Sequence, residues 1–173
     1  MVSRHAAVNL ACAGYATAYF SGDFDTATEM VDRAVELNPN SALAWSNRGW
    51  TYGQAGQAQE AIRSFERTIR LSPLNPMTFT FAGMGQAFIT LQRFDEAVKA
   101  AKKALRKNRT YTGTYRCLSS ALAHLGREAE SQEAVARLLE LEPNFRISEW
   151  VARGGQWRAQ LFIEGLRKAG FPE

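Results

Sequence analysis

AVELNPNSA (residues 34–42) and TIRLSPLNP (residues 68–76) place their prolines, Pro39 and Pro73, 34 residues apart. Working outward, Gly22 and Gly56, Ala27 and Ala61, and Ala34 and Thr68 keep the same spacing. ARLLELEPNF (residues 136–145) is the same ending again; with Pro143 opposite Pro73, Gly126 falls opposite Gly56. Between them, FDEAVKAAKKALRKN (residues 94–108) supplies the second half of another copy. Its Ala97 stands 36 residues beyond Ala61, which puts a two-residue insertion in the stretch Pro73 to Met77. Landmarks that hold one phase along the chain mark an internal repeat, with copies starting near Val8, Ala42, Thr78 and Thr112.

Each copy reads as a helical hairpin. In the second, Ser41 is placed to cap a helix running to about Gln54, and Gly56 breaks it. A second helix from about Ala58 carries Ala61, Ile62, Phe65 and Ile69 at helical spacing and stops before Pro73. Gly49 and Ala61 allow close approach of the two helices, and Trp45, Tyr52 and Phe65 fill the space around them. Glu29 with Arg33, and Glu66 with Arg70, are spaced for weak ion pairs. A lone hairpin leaves an apolar face open, so neighbouring copies must stack.

Composition agrees with an all-helical array. The 173 residues are 46% hydrophobic and 22% charged, with five prolines and a net charge of +4, which excludes a disordered tail or a collagen-like chain. Two cysteines and two histidines exclude a disulfide scaffold or zinc ribbon. Residues 1–22 have Arg4 and His5 ahead of an Ala-rich stretch, as a signal peptide would. Asn9 interrupts that stretch and it is in phase with the repeats, so it reads as a structural helix. No segment has the length and apolarity to span a bilayer as a helix. The setting expected is cytoplasmic, with the periplasm as the alternative.

At Trp45, Gly49, Tyr52, Ala61, Phe65 and Pro73 the second copy resembles the tetratricopeptide repeat, whose Trp, Gly, Tyr, Ala, Phe and Pro fall at these places. It departs at Arg48, where leucine is usual, and at Thr68, where alanine is usual. The first copy keeps Gly22, Ala27, Ala34 and Pro39. The third keeps Gly85, Ala97 and Ala104 but has Arg109 for the proline, and the fourth has Ser131 for the second-helix alanine. The resemblance implies an all-α, right-handed solenoid of four helix-turn-helix pairs plus a C-terminal capping helix. Its parts are a lead-in (1–7), repeats at 8–41, 42–77 (with the insertion), 78–111 and 112–147, and a linker with capping helix (148–173). The cap is expected near Trp157 to Ala169, with Leu161, Phe162 and Leu166 on one face and Arg158, Glu164 and Lys168 on the other. A narrower resemblance, carried by IRLSPLNPMTFTFAGMGQAF (69–88), Ala121 to Arg127 and the ending EGLRKAGFPE (164–173), is to the C-terminal repeat regions of adenylate and guanylate cyclases and related regulators of soil alphaproteobacteria. It implies a regulatory part, without the catalytic domain.

The family pattern lines a concave groove with the first helix of each pair. It places there Asn9, Cys12, Ala16 and Tyr19; Leu43, Ser46, Asn47 and Trp50; Phe79, Ala82, Gly83 and Gln86; and Gly113, Arg116, Cys117 and Ser120. Tyr19, Leu43, Asn47, Trp50, Phe79, Gln86 and Arg116 are the candidate partner-binding residues. Members that clamp a peptide carboxylate use a Lys, Arg and Asn set; only Asn47 matches it here, the basic positions being Cys12, Phe79 and Gly83. An apolar or mixed guest is therefore expected, a protein segment or helix, unless Trp50 and Phe79 serve only to pack neighbouring repeats. Arg48 should either reach the rim or pair with an acid on a partner.

Charge is uneven: residues 1–41 sum to −3 and residues 76–111 to +5. Lys99, Lys102, Lys103, Arg106 and Lys107 form a basic patch at the end of a second helix, where cations are favoured. Only Tyr111 is near it, so nucleic acid is not the expected partner. Catalytic motifs are absent, Gly83 to Phe88 lying within a helix. His5 and His124, and Cys12 and Cys117, fall in different copies. The chain is thus read as a non-enzyme, with no metal or cofactor. Val8, Leu10, Ala11, Tyr15, Ala18, Tyr19 and Phe20 spread around the first helix, which predicts either a longer array upstream of Met1 or a homodimer through that helix.

Overall fold

The computed structural model describes residues 4–74, 77–153 and 160–173, and every regular element among them is an α-helix. They are α1 (Arg4–Ser21), α2 (Phe24–Leu37), α3 (Ala42–Gln54), α4 (Ala58–Leu71), α5 (Thr78–Thr90), α6 (Phe94–Lys107), α7 (Thr112–His124), α8 (Glu128–Leu141), α9 (Ile147–Ala152) and α10 (Gln160–Lys168). They fall into two compact units, Met1–Pro76 and Met77–Glu173. In the first, α1 pairs with α2 and α3 with α4, and α3 packs on the α1–α2 hairpin. In the second, α5 pairs with α6 and α7 with α8, α7 packs on the α5–α6 hairpin, and α10 lies against α7 and α5.

Local chemistry sets the helix limits. The Ser41 hydroxyl accepts from the Ala44 amide at 3.2 Å, as expected of a cap, and Asp23 does the same for Thr26 at the start of α2. Three of the first helices, and α10, end in one motif. The amide two residues past the helix cap bonds back five residues, and the intervening residue takes a positive φ. At the end of α3, Gln57 bonds to the Tyr52 carbonyl and Gly56 has φ 81°. At the end of α7, Arg127 bonds to Leu122 around Gly126 at φ 68°. At the end of α5, Arg93 bonds to Phe88 at 2.8 Å, but the residue forced to φ 58° is Gln92. The third copy thus makes the turn of its sisters without their glycine.

The absent proline of the third copy is explained by the next helix. Trp45 Nε1 donates to the carbonyl of Pro39 at 2.9 Å. Tyr115, the matching residue of the fourth copy, donates its hydroxyl to the carbonyl of Arg109, also at 2.9 Å. The incoming chain is held through its backbone oxygen, which any residue supplies.

Within the second hairpin a small residue is set against a large one. A Cβ on Gly49 would stand 2.6–2.9 Å from three atoms of the Phe65 ring, which is itself 1% exposed. Burying such a ring is worth about 1.5–3 kcal/mol, and only glycine lets it lie flat on α3. Thr68 and Ser131, which replace the usual alanines, are buried; Thr68 Oγ1 donates to the Ser64 carbonyl and Ser131 Oγ to that of Ser119. Their extra oxygens are therefore satisfied.

Three expectations change. Helix α1 begins at Arg4. Its inner seam is Ala7, Ala11, Gly14 and Ala18, while Phe20 is 77% exposed. The cap is α10 from Gln160, with Phe162, Ile163, Gly165 and Leu166 buried, preceded by the unanticipated α9; Trp157 and Arg158 lie outside the described residues. On α2 and α4 the surface ion pairs are Arg33 with Glu36 and Arg63 with Glu60, in place of Glu29 with Arg33 and Glu66 with Arg70. Both run from arginine to the neighbouring turn's glutamate and are worth a few tenths of a kcal/mol (about 0.3–0.5).

Candidate partner-binding faces

The first unit presents α1 and α3. On α3, Leu43 and Trp50 are seven residues apart, two turns on one side, and both are half-buried. Trp50 sets its ring edge-to-face with Phe65, centroids 5.9 Å apart, so part of it packs within the hairpin and part faces outward. Tyr19 on α1 is half-buried between Tyr15 and Phe20, at 6.0 and 5.0 Å between centroids. Asn47 is buried at 8% exposure and donates from Nδ2 to Cys12 Sγ at 3.3 Å, so it ties α3 to α1.

Arg48 neither reaches the rim nor waits for an outside acid, which corrects both expectations for it. Its side chain is 15% exposed and meets Asp32 Oδ1 at 2.7 Å and Ser64 Oγ at 2.6 Å. The guanidinium lies over the Tyr52 ring, 4.3 Å from its centroid, and the Tyr52 hydroxyl donates to the other oxygen of Asp32 at 2.7 Å. Helices α2, α3 and α4 are joined by this group. Burial, and then the bond to Asp32, push the Tyr52 pKa up to about 12. Sequence reasoning missed Asp32 because it lies 16 residues away on a different helix.

The second unit presents α5 and α7. Phe79 and Gln86, seven residues apart on α5, are half-buried, with Ala82 and Gly83 buried beside them. On α7 the candidate groove positions are occupied by the chain itself. Arg116, expected to meet a partner, has a side chain 15% exposed and lies 3.4 Å from Glu142 Oε2. Its guanidinium sits 5.4 Å from the Phe145 ring and 5.2 Å from the Trp150 ring. Cys117 is buried against Gly85, and burial pushes its thiol up to about 12. Ser120 Oγ donates to the carbonyl of Phe162 in α10 at 3.0 Å.

Lys99, Lys102, Lys103, Arg106 and Lys107 are all exposed on the last turns of α6, where the helix dipole favours cations. Lys102 lies 3.4 Å from Glu130 on α8. Among the described residues no three His, Cys, Asp or Glu side chains gather as metal ligands, and no helix is long and apolar enough to cross a membrane.

Family profiles of the tetratricopeptide repeat match residues 17–76 and 81–110, together more than half of the chain. RNA polymerase II-associated protein 3 of Homo sapiens is 28% identical over 117 residues, 68% of this chain and 17% of that protein. The crystal structure of the MamA protein superposes with a TM-score of 0.67 at 20% identity, covering 94% of this chain and 91% of its own. The first TPR of Spaghetti (RPAP3), bound to the HSP90 peptide SRMEEVD, superposes with a TM-score of 0.58 at 26% identity, covering 74% and 89%. The chain spans only about a fifth of the curated relatives it first matches, 23% and 17% of their lengths.

Proposed function

We propose, from the premise that this chain belongs to the tetratricopeptide-repeat family, that it is a non-catalytic module that holds a segment of another protein on the first-helix faces. The observation that carries this reading is the pair Leu43 and Trp50, half-buried on one side of α3 while the other side is packed on α4. Aromatic side chains left partly open on a helix, as Trp50 is, are frequent anchors of an interface. The peptide seen on the first TPR of Spaghetti supports a segment as the guest. The guest favoured here is apolar or mixed, because Asn47 and Arg48 are already engaged within the chain.

The test is affinity capture with the full chain, comparing wild type with Trp50→Ala and Leu43→Asp. Both variants should lose the same captured protein while keeping the wild-type far-UV CD spectrum. Equal capture by all three refutes the reading.

A second reading, self-association through α1, is favoured by Phe20, the large exposed aromatic at its end. A mass that rises with concentration and falls back in Phe20→Ser would support it. The regulatory role next to a cyclase rests on the resemblance of residues 69–88, 121–127 and 164–173 alone.

A further inference from the structure

The side of α7 that carries Arg116, Ser120 and His124 is where the repeat pattern places a guest, and a helix already lies there. α10 packs along α7 and reaches α5. It meets α8 only past its last turn, where Gln132 Nε2 donates to the Ala169 carbonyl at 2.9 Å. Phe162 and Leu166 are buried at 3% and 0% exposure, and Trp150 lies 5.7 Å from the Phe162 ring.

Two hydrogen bonds from α7 to this helix are of one kind. Ser120 Oγ meets the carbonyl of Phe162, and His124 Nε2 lies 2.7 Å from the carbonyl of Leu161. Both side chains address backbone oxygen, which every helix offers, so they select for a helix and not for its sequence. Selection comes from shape. A Cβ on Gly165 would stand 2.0 Å from Ser120 Oγ and 2.8 Å from the Ser120 carbonyl oxygen, so only a residue without a side chain fits at that point. Large side chains at 162, 163 and 166 then fill the space on either side.

We propose that α10 is the chain's own ligand for the α5/α7 face, and that the outside partner of this face is a short amphipathic helix of the same pattern. That pattern is two adjacent large apolar residues, any residue, glycine, and a large apolar residue, as in Phe162, Ile163, Glu164, Gly165 and Leu166. The partner helix binds where α10 now lies and displaces it. A nine-residue helix has little stability of its own, so α10 is held by this face and by the residues after it, where the Ile147 amide donates to the Pro172 carbonyl at 2.9 Å and the Phe171 ring meets that of Phe145, 5.2 Å between centroids. A partner must therefore outcompete a segment of the same chain. The proposal rests on the reading of the first-helix faces as binding surfaces.

The probe is a fluorescein-labelled peptide of residues 160–173, titrated by anisotropy into the full chain and into full-length Phe162→Ala/Leu166→Ala. The double variant, whose own α10 docks poorly, should bind the peptide at least tenfold tighter than wild type. A peptide carrying Gly165→Leu should not bind. A folded double variant that binds no tighter, or a Gly165→Leu peptide that binds equally well, overturns the proposal. If the double variant does not fold, hydrogen exchange on the wild type decides. Amides of α10 exchanging far faster than those of α7 support a displaceable ligand, and equal protection makes it a fixed cap. The peptide titration reads the α7 face and the capture experiment reads the α3 face, so failure at α3 and failure at α7 are told apart.

Discussion

Replacing Gln92 with glycine should stabilise the protein, although it removes a side chain and adds backbone freedom. Gln92 occupies the turn after α5 at φ 58°, where Gly56 and Gly126 take 81° and 68° after α3 and α7. A left-handed conformation costs an L-residue about 1–2 kcal/mol. Against this, glycine loses more freedom on folding, a cost of about 0.5–1 kcal/mol. The difference leaves a gain of about 0.5–1 kcal/mol for Gln92→Gly. At this chain length each kcal/mol raises Tm by about 2–4 °C. The reverse change is the control: a Cβ on Gly126 meets nothing within 4 Å, so Gly126→Ala measures the conformational cost without a clash. Urea unfolding followed by far-UV CD should move the midpoint up for the first and down for the second, with the slope unchanged. A neutral or destabilised Gln92→Gly beside a destabilised Gly126→Ala would show that contacts of the glutamine side chain, and not its backbone, govern that turn.

Restoring the usual leucine at Arg48 should weaken the fold by about 1–3 kcal/mol, because Asp32 loses its cation and Tyr52 its stacking partner. Asp32 is 41% exposed and can rehydrate, which keeps the loss below that of a fully buried pair. A double-mutant cycle with Asp32→Asn should show the two changes costing less together than their sum; strict additivity would refute the coupling. Stability should also fall at alkaline pH. Tyr52 rises from 10.0 and Cys117 from 9.0, each to about 12 in the folded chain. Across that interval the folded state binds more protons than the unfolded state, so the stabilisation is complete below pH 9 and is lost as pH rises towards 12. Urea midpoints against pH should decline through this window, and Tyr52→Phe with Cys117→Ala should flatten the decline.

The hairpins were readable because the signals that end helices are local. Gly56 and Gly126 and the caps at Ser41 and Asp23 act within a few residues, and the repeat multiplies each of them. The third copy shows how far this goes: with Arg109 for proline and Gln92 for glycine it still turns at the same places, since the acceptors there are backbone carbonyls. What the sequence could not disclose was which distant group answers a side chain. Arg48 was recognisable as out of place, but Asp32 as its partner depends on how α2 lies beside α3. Arg116 suffered the same way, its position suggesting a free cation while Glu142, Phe145 and Trp150 close over it. The amphipathic pattern of α10 announced a packed helix and left its destination open, because amphipathicity marks the face that is buried and not the surface that buries it.

The two thiols differ in a way that serves the bench. Cys12 is exposed on α1 beside Asn47, and Cys117 is buried with its proton held to about pH 12. A maleimide at neutral pH will therefore mark one position in the folded chain, without mutagenesis, and it will carry its dye within reach of the α1/α3 surface. The second sulfur answers only when the chain opens. One protein thus holds a reporter of encounter and a reporter of unfolding, separated by accessibility alone.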